Sequence, residues 1–185
     1  MTNFLVKIWN TIMAYGFWGK IKLVSLDDPI LGQVADPVHF DNPVKSYWLA
    51  QKMFKLMKQE RGIGLAGPQC GVPLRIFVMY IERNRYVCIN PAIIKTHGDK
   101  EIDKEGCLSF PNKKIKTSRH VSISVECDNL DNTLFFTADS DNIVDAMECV
   151  CIQHEIDHLD GITMLDRKVK GNTIKREGKK IGRND

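Results

Sequence analysis

Two histidines four residues apart, with a glutamate beside the first, are the residues of this sequence best suited to chemistry. They lie in the stretch Cys-Ile-Gln-His-Glu-Ile-Asp-His-Leu-Asp-Gly, residues 151–161. If this stretch is helical, His154 and His158 lie on one face, and both imidazoles can reach the same metal ion. A bound ion lowers the pKa of a water molecule toward about 7, and Glu155 is close enough to take the proton. The pattern therefore predicts metal-assisted hydrolysis.

A third ligand is needed to complete such a site, and a cysteine elsewhere in the chain could supply it. Cys107 stands between a glycine and a leucine in Glu-Gly-Cys-Leu-Ser-Phe-Pro, residues 105–111, after a charged segment that we interpret as a loop. Two imidazoles and one thiolate leave a fourth position free for water. The alternative for a single cysteine is a structural position in the core.

A glycine-rich stretch offers a place for a substrate. Residues 62–69 read Gly-Ile-Gly-Leu-Ala-Gly-Pro-Gln. Its small residues would let a substrate backbone approach, and the side-chain amide of Gln69 can donate a hydrogen bond. Taken alone, the stretch is only a loop with glycines.

Together, the three stretches resemble the motifs of the peptide deformylase family. With φ for an apolar residue, those motifs read G-φ-G-φ-A-A-x-Q, E-G-C-L-S and Q-H-E-x-D-H. They correspond here to residues 62–69, to residues 105–109, Glu-Gly-Cys-Leu-Ser, and to residues 153–158, Gln-His-Glu-Ile-Asp-His. The resemblance runs from about Ile21 to Leu165. Gly67 departs from it, because the family has alanine there, and we expect the freer glycine backbone to loosen the loop that presents Gln69.

The resemblance implies a metal centre and a reaction. Cys107, His154 and His158 would bind the ion, usually Fe(II) in this family, while Zn(II), Ni(II) or Co(II) can occupy the same ligands. Glu155 would deprotonate the attacking water, which removes the formyl group of an N-formylmethionyl nascent peptide as formate. The Gln69 amide and the Leu108 backbone N–H would stabilise the oxyanion.

The resemblance also implies a pocket for the methionine side chain. By similarity it draws on Ile63, Val150 and Cys151, and Gly64 would meet the peptide backbone. The alternative is that these residues are ordinary core.

Three carboxylates of the motifs have no assigned chemistry. We interpret Glu105 as support for the cysteine loop. Asp157 and Asp160 either orient a histidine or are surface charges, and the sequence does not separate these alternatives.

The order of predicted elements indicates the α+β class, with antiparallel β-sheets around a C-terminal metal-binding helix and a second helix before the first motif. Asn42 and Pro43 begin that second helix, Gly62 ends it, and Val44, Tyr47, Phe54 and Met57 form its buried face. Asp141 or Asn142 begins the metal-binding helix. The predicted strands are the runs Arg-Ile-Phe-Val-Met-Tyr (75–80), Arg-Tyr-Val-Cys-Ile-Asn (85–90), Val-Ser-Ile-Ser-Val-Glu (121–126) and Thr-Leu-Phe-Phe (133–136).

Charge and periodicity divide the chain into three parts. Residues 1–20 are an amphipathic extension and residues 166–185 a basic tail. Residues 21–165 between them are the catalytic domain that the resemblance implies. The tail has eight Lys/Arg and three Asp/Glu, a net charge of +5, in a chain whose total is +3. We hypothesise weak, salt-sensitive attraction to ribosomal RNA, with a frayed tail as the alternative. The residues concerned are Arg167, Lys168, Lys170, Lys175, Arg176, Lys179, Lys180 and Arg183.

Composition narrows the setting of the protein. The chain of 185 residues is 43% apolar and 26% charged, which is typical of a globular protein. Its six cysteines include no C-x-x-C pair, which favours a reduced cytoplasmic setting, whether in a bacterium, an organelle or a virus-infected host cell. Lys7 and Asn10 interrupt the apolar run of the N-terminal extension and leave it short of the roughly 20 residues that a membrane span needs, so we expect no membrane span. We expect a monomer that does not bind DNA.

Two other functions compete with the deformylase interpretation. A small zinc metallopeptidase of the H-E-x-x-H type would share Glu155 and both histidines, but it would not use Cys107 or Gln69. A non-catalytic binder of nascent peptides or metal would keep the ligands, but it would not require Glu155 as a base.

Overall fold

The computed structural model describes residues 20–39 and 43–169, and its elements confirm the predicted α+β class. The helices are α1 (Pro43–Gln59) and α2 (Ile143–Leu159), and short 3-10 turns occupy Pro29–Gly32 and Pro68–Cys70. The strands are β1 (Gly64–Ala66), β2 (Ile76–Ile81), β3 (Asn84–Ile89), β4 (Ala92–Cys107), β5 (Phe110–Glu126) and β6 (Leu134–Thr137).

The strands form two antiparallel sheets, in the orders β1-β2-β3 and β4-β5-β6. The four predicted strand runs fall in β2, β3, β5 and β6. The interpretation of the charged segment before Cys107 as a loop is wrong. The segment forms most of the 16-residue strand β4. This segment is exposed on both faces, so it lacks the alternation that marks a half-buried strand. Its backbone pairing with β5 holds it in an extended conformation instead.

Strand β2 is buried on both faces and separates two parts of the core. Phe77 and Met79 face a cluster that includes Ile152 and other residues of α2. Ile76 and Val78 face the second cluster, which contains the buried side of α1. The first sheet is therefore held between the two helices.

Helix α1 agrees with its predicted extent, but its buried face is shorter than predicted. Phe54 and Met57 are buried as expected, whereas Tyr47 is 60% exposed. Tyr47 shares their side of the helix, but among the side chains of this helix that the structure describes the buried ones begin at Ala50, so Tyr47 lies beyond the core. Asn42 and the side chain of Val44 lie outside the described residues.

Helix α2 is surrounded by protein along its second half. Asn142 caps its start by accepting a hydrogen bond from the Val144 N–H, as the sequence predicts. From Glu148 to Leu159 only Val150 retains appreciable exposure. The Gln153 amide bonds the backbone N–H and carbonyl of His120 at 2.9 and 3.0 Å, which ties α2 to β5.

The described chain ends along the edge of the β4–β5 hairpin. The Ser118 N–H donates to the Arg167 carbonyl at 3.1 Å, and the Val169 N–H donates to the Lys116 carbonyl at 2.9 Å. Residues 166–169, which we call the C-terminal clasp, thus pack on β5. Residues 1–19 of the predicted amphipathic extension (1–20) and residues 170–185 of the predicted basic tail (166–185) lie outside the described residues. Among the described helices, none is long and apolar enough to span a membrane.

Gly67 lies where two backbone carbonyls approach the loop after β1. Its N–H donates to the Ile76 carbonyl at 2.8 Å, and its own carbonyl accepts from Cys70 and Val72. A Cβ atom added at Gly67 would lie 2.7 Å from the Leu74 carbonyl oxygen and 2.8 Å from that of Val72. The glycine therefore permits tight packing of the loop that presents Gln69, in contrast to the looser loop expected from the sequence.

We expect Gly67→Ala to destabilise the protein, although alanine restores the family residue. The overlap with two carbonyls should lower the free energy of unfolding by about 1–3 kcal/mol, which exceeds the gain of about 0.4–1 kcal/mol that alanine brings through the unfolded chain. Chemical denaturation measures this change.

Gly32→Ala is the matched control, because no atom of the described residues lies within 4 Å of its added Cβ. Its effect should stay within about 0.5 kcal/mol. A Gly67→Ala variant as stable as the parent would contradict the packing argument.

Candidate active site

The structure brings the three predicted metal ligands together in the interior. Cys107 is the last residue of β4, and His154 and His158 lie one turn apart on α2. The Cys107 Sγ lies 3.2 Å from the Nε2 of His158, which lies 3.2 Å from the Nε2 of His154. The three ligand atoms lie within 4.8 Å of one another, and both histidines are buried.

These donors fit a divalent transition-metal ion. The His154 Nδ1 lies 2.6 Å from the Glu105 Oε1, and this contact assigns the Nδ1 as the donor, leaving Nε2 to face the other ligands. Burial opposes protonation of His154, but its hydrogen bonds to Cys107 and Glu105 raise its pKa to about 10. Burial, followed by the charge of His154, holds the pKa of His158 well below its usual range. An ion at this site must therefore displace a proton from His154, as is general for metal binding.

Glu155 is buried beside the ligands and is not part of their contacts. Among the described residues, its Oε2 has no hydrogen-bond partner. Burial raises the pKa of Glu155 to about 7, and the charge of Glu105 adds to this effect while His154 opposes it. A carboxylate with such a pKa can both accept and release a proton near neutral pH.

Gly64 allows strand β1 to pass directly over this carboxylate. A Cβ atom at Gly64 would overlap the Glu155 carboxylate and would lie 2.7 Å from the Cys151 sulfur. The structure therefore places Gly64, Cys151 and Glu155 in one contact. Val150 is half-buried on α2, and Ile63, just before β1, is 42% exposed, so both side chains remain accessible.

Gln69 presents its amide group to the ligand cysteine. Its Oε1 accepts from the Ala66 N–H at 2.8 Å, which fixes the orientation of the amide. Its Nε2 then donates to the Ser109 hydroxyl at 3.1 Å and lies 3.4 Å from the Cys107 Sγ. Leu108 follows Cys107 directly, in the two-residue turn between β4 and β5.

A buried network of charges supports His154, and sequence reasoning missed its central residue, Arg119. The Arg119 guanidinium bonds both Glu105 oxygens, at 2.9 and 2.5 Å, and Asp157 at 2.5 Å. The Thr117 hydroxyl adds a bond of 2.7 Å to Glu105. Although burial opposes it, hydrogen bonding from Arg119 and His154 holds the pKa of Glu105 well below its usual range.

The contacts of Glu105, Asp157 and Asp160 distinguish the alternatives that the sequence left open for these carboxylates. Glu105 supports a histidine and not only the loop, and Asp157 is buried among arginines. Asp160 is instead 41% exposed and pairs with Arg75. The pairing of β4 with β5 places Arg119 beside Glu105, and the sequence does not predict this pairing because the charged half of the hairpin resembles a loop.

Comparison with known proteins identifies the family of the chain. The sequence model of the polypeptide deformylase family matches residues 20–173. The peptide deformylase of Dictyoglomus thermophilum is 42% identical over 157 residues, which cover 84% of this chain and 96% of that protein.

Solved structures show the same fold. The peptide deformylase of Thermotoga maritima is 30% identical, with a TM-score of 0.70 over 82% of this chain and 99% of that one. The enzyme of Synechococcus elongatus, solved in complex with actinonin, is 32% identical, with a TM-score of 0.68 over 81% of this chain and 79% of that one. The chain therefore belongs to the polypeptide deformylase family.

Proposed function

We propose individual roles for the site residues in the reaction that this deformylase catalyses. The reaction is the metal-dependent hydrolysis of the N-formyl group of newly synthesised polypeptides, which releases formate. The observation that carries the proposal is the convergence of one thiol and two imidazoles beside a buried, unpartnered glutamate oxygen.

Cys107, His154 and His158 hold the ion in this proposal, and the ion is Fe(II). A bound ion supplies a Lewis acid that polarises water and the formyl carbonyl. The thiolate and imidazole ligands are compatible with Fe(II) and equally with Zn(II), Ni(II) and Co(II). The assignment of iron therefore rests on similarity to the family.

Glu155 moves the proton. Its Oε2 accepts a proton from the attacking water and later delivers it to the departing methionine amine. The raised pKa supports both steps, because a group that titrates near neutrality is a competent base and, once protonated, a competent acid. The methionine amine and formate are the products.

Gln69 and Leu108 stabilise the charge that develops on the formyl oxygen. The bond from the Ala66 N–H holds the Gln69 Nε2 toward Cys107 before any substrate binds. A donor oriented in advance needs no reorganisation during the reaction. The Leu108 backbone N–H is the second donor.

The methionine side chain binds against the face of α2 in this proposal. Cys151 and Gly64 pack on Glu155, and the accessible side chains of Val150 and Ile63 are their neighbours in sequence. A mainly apolar pocket beside the catalytic carboxylate suits methionine. Gly64 meets the peptide backbone, where a larger residue would collide with Glu155.

The competing functions explain less of the site. A metallopeptidase of the H-E-x-x-H type makes no use of Cys107 or Gln69, yet both lie at the metal ligands. A non-catalytic binder does not require a base, yet Glu155 is buried there without a partner among the described residues.

We also propose that the enzyme is a cytoplasmic monomer acting on N-formylmethionyl nascent peptides. All six cysteines are free, and five of them are buried, which suits a reducing compartment. The basic residues from 170 onward contribute weak attraction to ribosomal RNA. Arg167 is excluded from that role, because its side chain is engaged by Asp157.

Glu155→Gln should retain its metal and lose activity. The amide cannot take a proton from water, so formate release from formyl-Met-Ala-Ser should fall by about 10²–10⁴-fold. Formate is measured anaerobically with protein loaded with Fe(II) or Ni(II). Glu148→Gln is the matched control, because Glu148 is buried on the same helix and bonds Asn84 and Tyr86 outside the site.

In the same assay Gln69→Ala should reduce kcat by roughly 10²–10³-fold, because one oxyanion donor is lost while the base remains. A metal-loaded Glu155→Gln variant with parental turnover would refute the role of Glu155. A parental kcat in Gln69→Ala would do the same for Gln69.

Cys107→Ala should lose the ion, because the remaining pair of imidazoles binds it more weakly. Metal content after anaerobic purification is the measurement, and the parent is expected to contain iron. Cys149→Ala is the control, since the hydrogen-bond partners of its buried thiol, among the described residues, are the backbone carbonyls of His120 and Val121 and the Gln153 amide. Metal and activity retained in Cys107→Ala would favour the peptidase, and a parent that contains zinc would contradict the assignment of iron.

Deletion of residues 170–185 should weaken co-sedimentation with ribosomes at low salt. The deletion removes six Lys/Arg residues and keeps the C-terminal clasp. The loss should shrink as salt rises, because phosphate contacts are salt-dependent. Unchanged co-sedimentation at low salt would eliminate this contact.

A further inference from the structure

Arg167 reaches from the C-terminal clasp into the charge network around the metal site. Its Nη2 donates to the Asp157 Oδ1 at 2.7 Å, and its Nε donates to the Asp157 Oδ2 at 3.0 Å. A two-point contact of this kind fixes both the position and the plane of the carboxylate. The Arg167 side chain is 43% exposed, whereas that of Asp157 is 8% exposed, so the clasp neutralises a buried anion from the surface.

The contact continues inward to a metal ligand. The Asp157 Oδ2 also accepts from Arg119 Nη1, and the Nε and Nη2 of Arg119 are bound to Glu105. Glu105 in turn accepts from the His154 Nδ1. Four charged side chains thus form one hydrogen-bonded row from the clasp to the imidazole, with carboxylates and guanidinium groups alternating.

The balance of buried charges explains why the network needs Arg167. The three inner members, Glu105, Arg119 and Asp157, are almost fully buried and carry two negative charges and one positive charge. Without Arg167, both carboxylates would compete for Arg119, because a buried anion that lacks a partner is costly. Arg119 would then be drawn toward Asp157, and Glu105 would hold His154 less firmly.

We propose that Arg167 is a positioning residue for the metal site. By neutralising Asp157 it keeps Arg119 on Glu105, and Glu105 keeps the His154 Nε2 directed at the ion. The C-terminal clasp is therefore part of the metal site and not the beginning of a basic tail. This inference rests on the proposed role of His154 as a ligand.

The direction in which metal affinity changes on loss of Arg167 separates positioning from a simple effect of charge. Loss of Arg167 also removes a positive charge and leaves the surroundings of the site more negative, which by itself would favour a cation. Positioning and charge therefore predict opposite changes in metal affinity.

The test is the rate at which Co(II)-loaded protein gives up its ion to a chromophoric chelator. Arg167→Gln should lose Co(II) about 10-fold faster than the parent, which is the lower end of the effect of removing a direct partner of a ligating histidine, because Arg167 acts through Asp157, Arg119 and Glu105. Arg167→Lys, which keeps the charge without the fork, should fall between the two.

Arg75→Gln is the matched control. Arg75 pairs with Asp160 at 2.7 Å and bonds the Leu159 carbonyl at the end of the same helix, but it has no link to His154. It should lose Co(II) at a rate within about twofold of the parent, even where its thermal unfolding is shifted as much as that of Arg167→Gln.

A second variant separates positioning from general damage. In Arg167→Gln/Asp157→Asn the competing carboxylate is gone, so Arg119 can remain on Glu105, and Co(II) retention should recover to within about threefold of the parent. Arg167→Gln that loses Co(II) no faster than Arg75→Gln, or that holds it more tightly than the parent, would overturn the proposal. Failure of the double variant to recover would overturn it as well.

His154→Ala in the same assay separates this inference from the proposed function. It should release Co(II) fastest of all the variants. If it retains the ion like the parent, the ligand assignment fails, whatever the Arg167 variants do.

Discussion

The Glu105 carboxylate is the group on which the candidate metal site most depends, because this buried anion binds both His154 and the side chains that hold the carboxylate in place. It accepts hydrogen bonds from Arg119, Thr117 and the Nδ1 of His154. Burial of an ion pair removes both charges from water, so such a pair adds little to stability even when its geometry is good. The more important consequence is specific geometry, since a buried carboxylate tolerates few other arrangements of its partners. The orientation of His154 follows from that restriction.

The candidate site is assembled from distant parts of the chain. Cys107 comes from the end of a long hairpin, the histidines come from α2, and Gln69 comes from a turn after β1. Backbone contacts bring these elements close. A Cβ atom at either Gly64 or Gly67 would collide with groups that form or support the site. The proposed donors and ligands are thus placed before a substrate arrives, which is the condition for electrostatic stabilisation of a transition state.

The local parts of the site could be predicted from the sequence, and the long-range parts could not. The spacing of His154 and His158 specifies their relation within one helix, so a metal pair is recognisable without any knowledge of the fold. The position of Arg119 depends on the register of a hairpin whose first strand is polar on both faces and resembles a loop. Arg167 looked like one of eight basic tail residues, because nothing in a charge count shows that its partner is buried. Tyr47 was misplaced for a related reason, since periodicity identifies the side of a helix but not where the core stops.

X-ray absorption spectroscopy at the metal edge of the anaerobically loaded enzyme identifies the ligands of the ion. We expect one sulfur and two imidazole nitrogens among the ligands, from Cys107, His154 and His158, with no carboxylate from Glu155. A spectrum without a sulfur ligand would contradict the proposed centre. A spectrum in which a Glu155 carboxylate oxygen replaces an imidazole would contradict it too, because a carboxylate bound to the ion could not act as the free base.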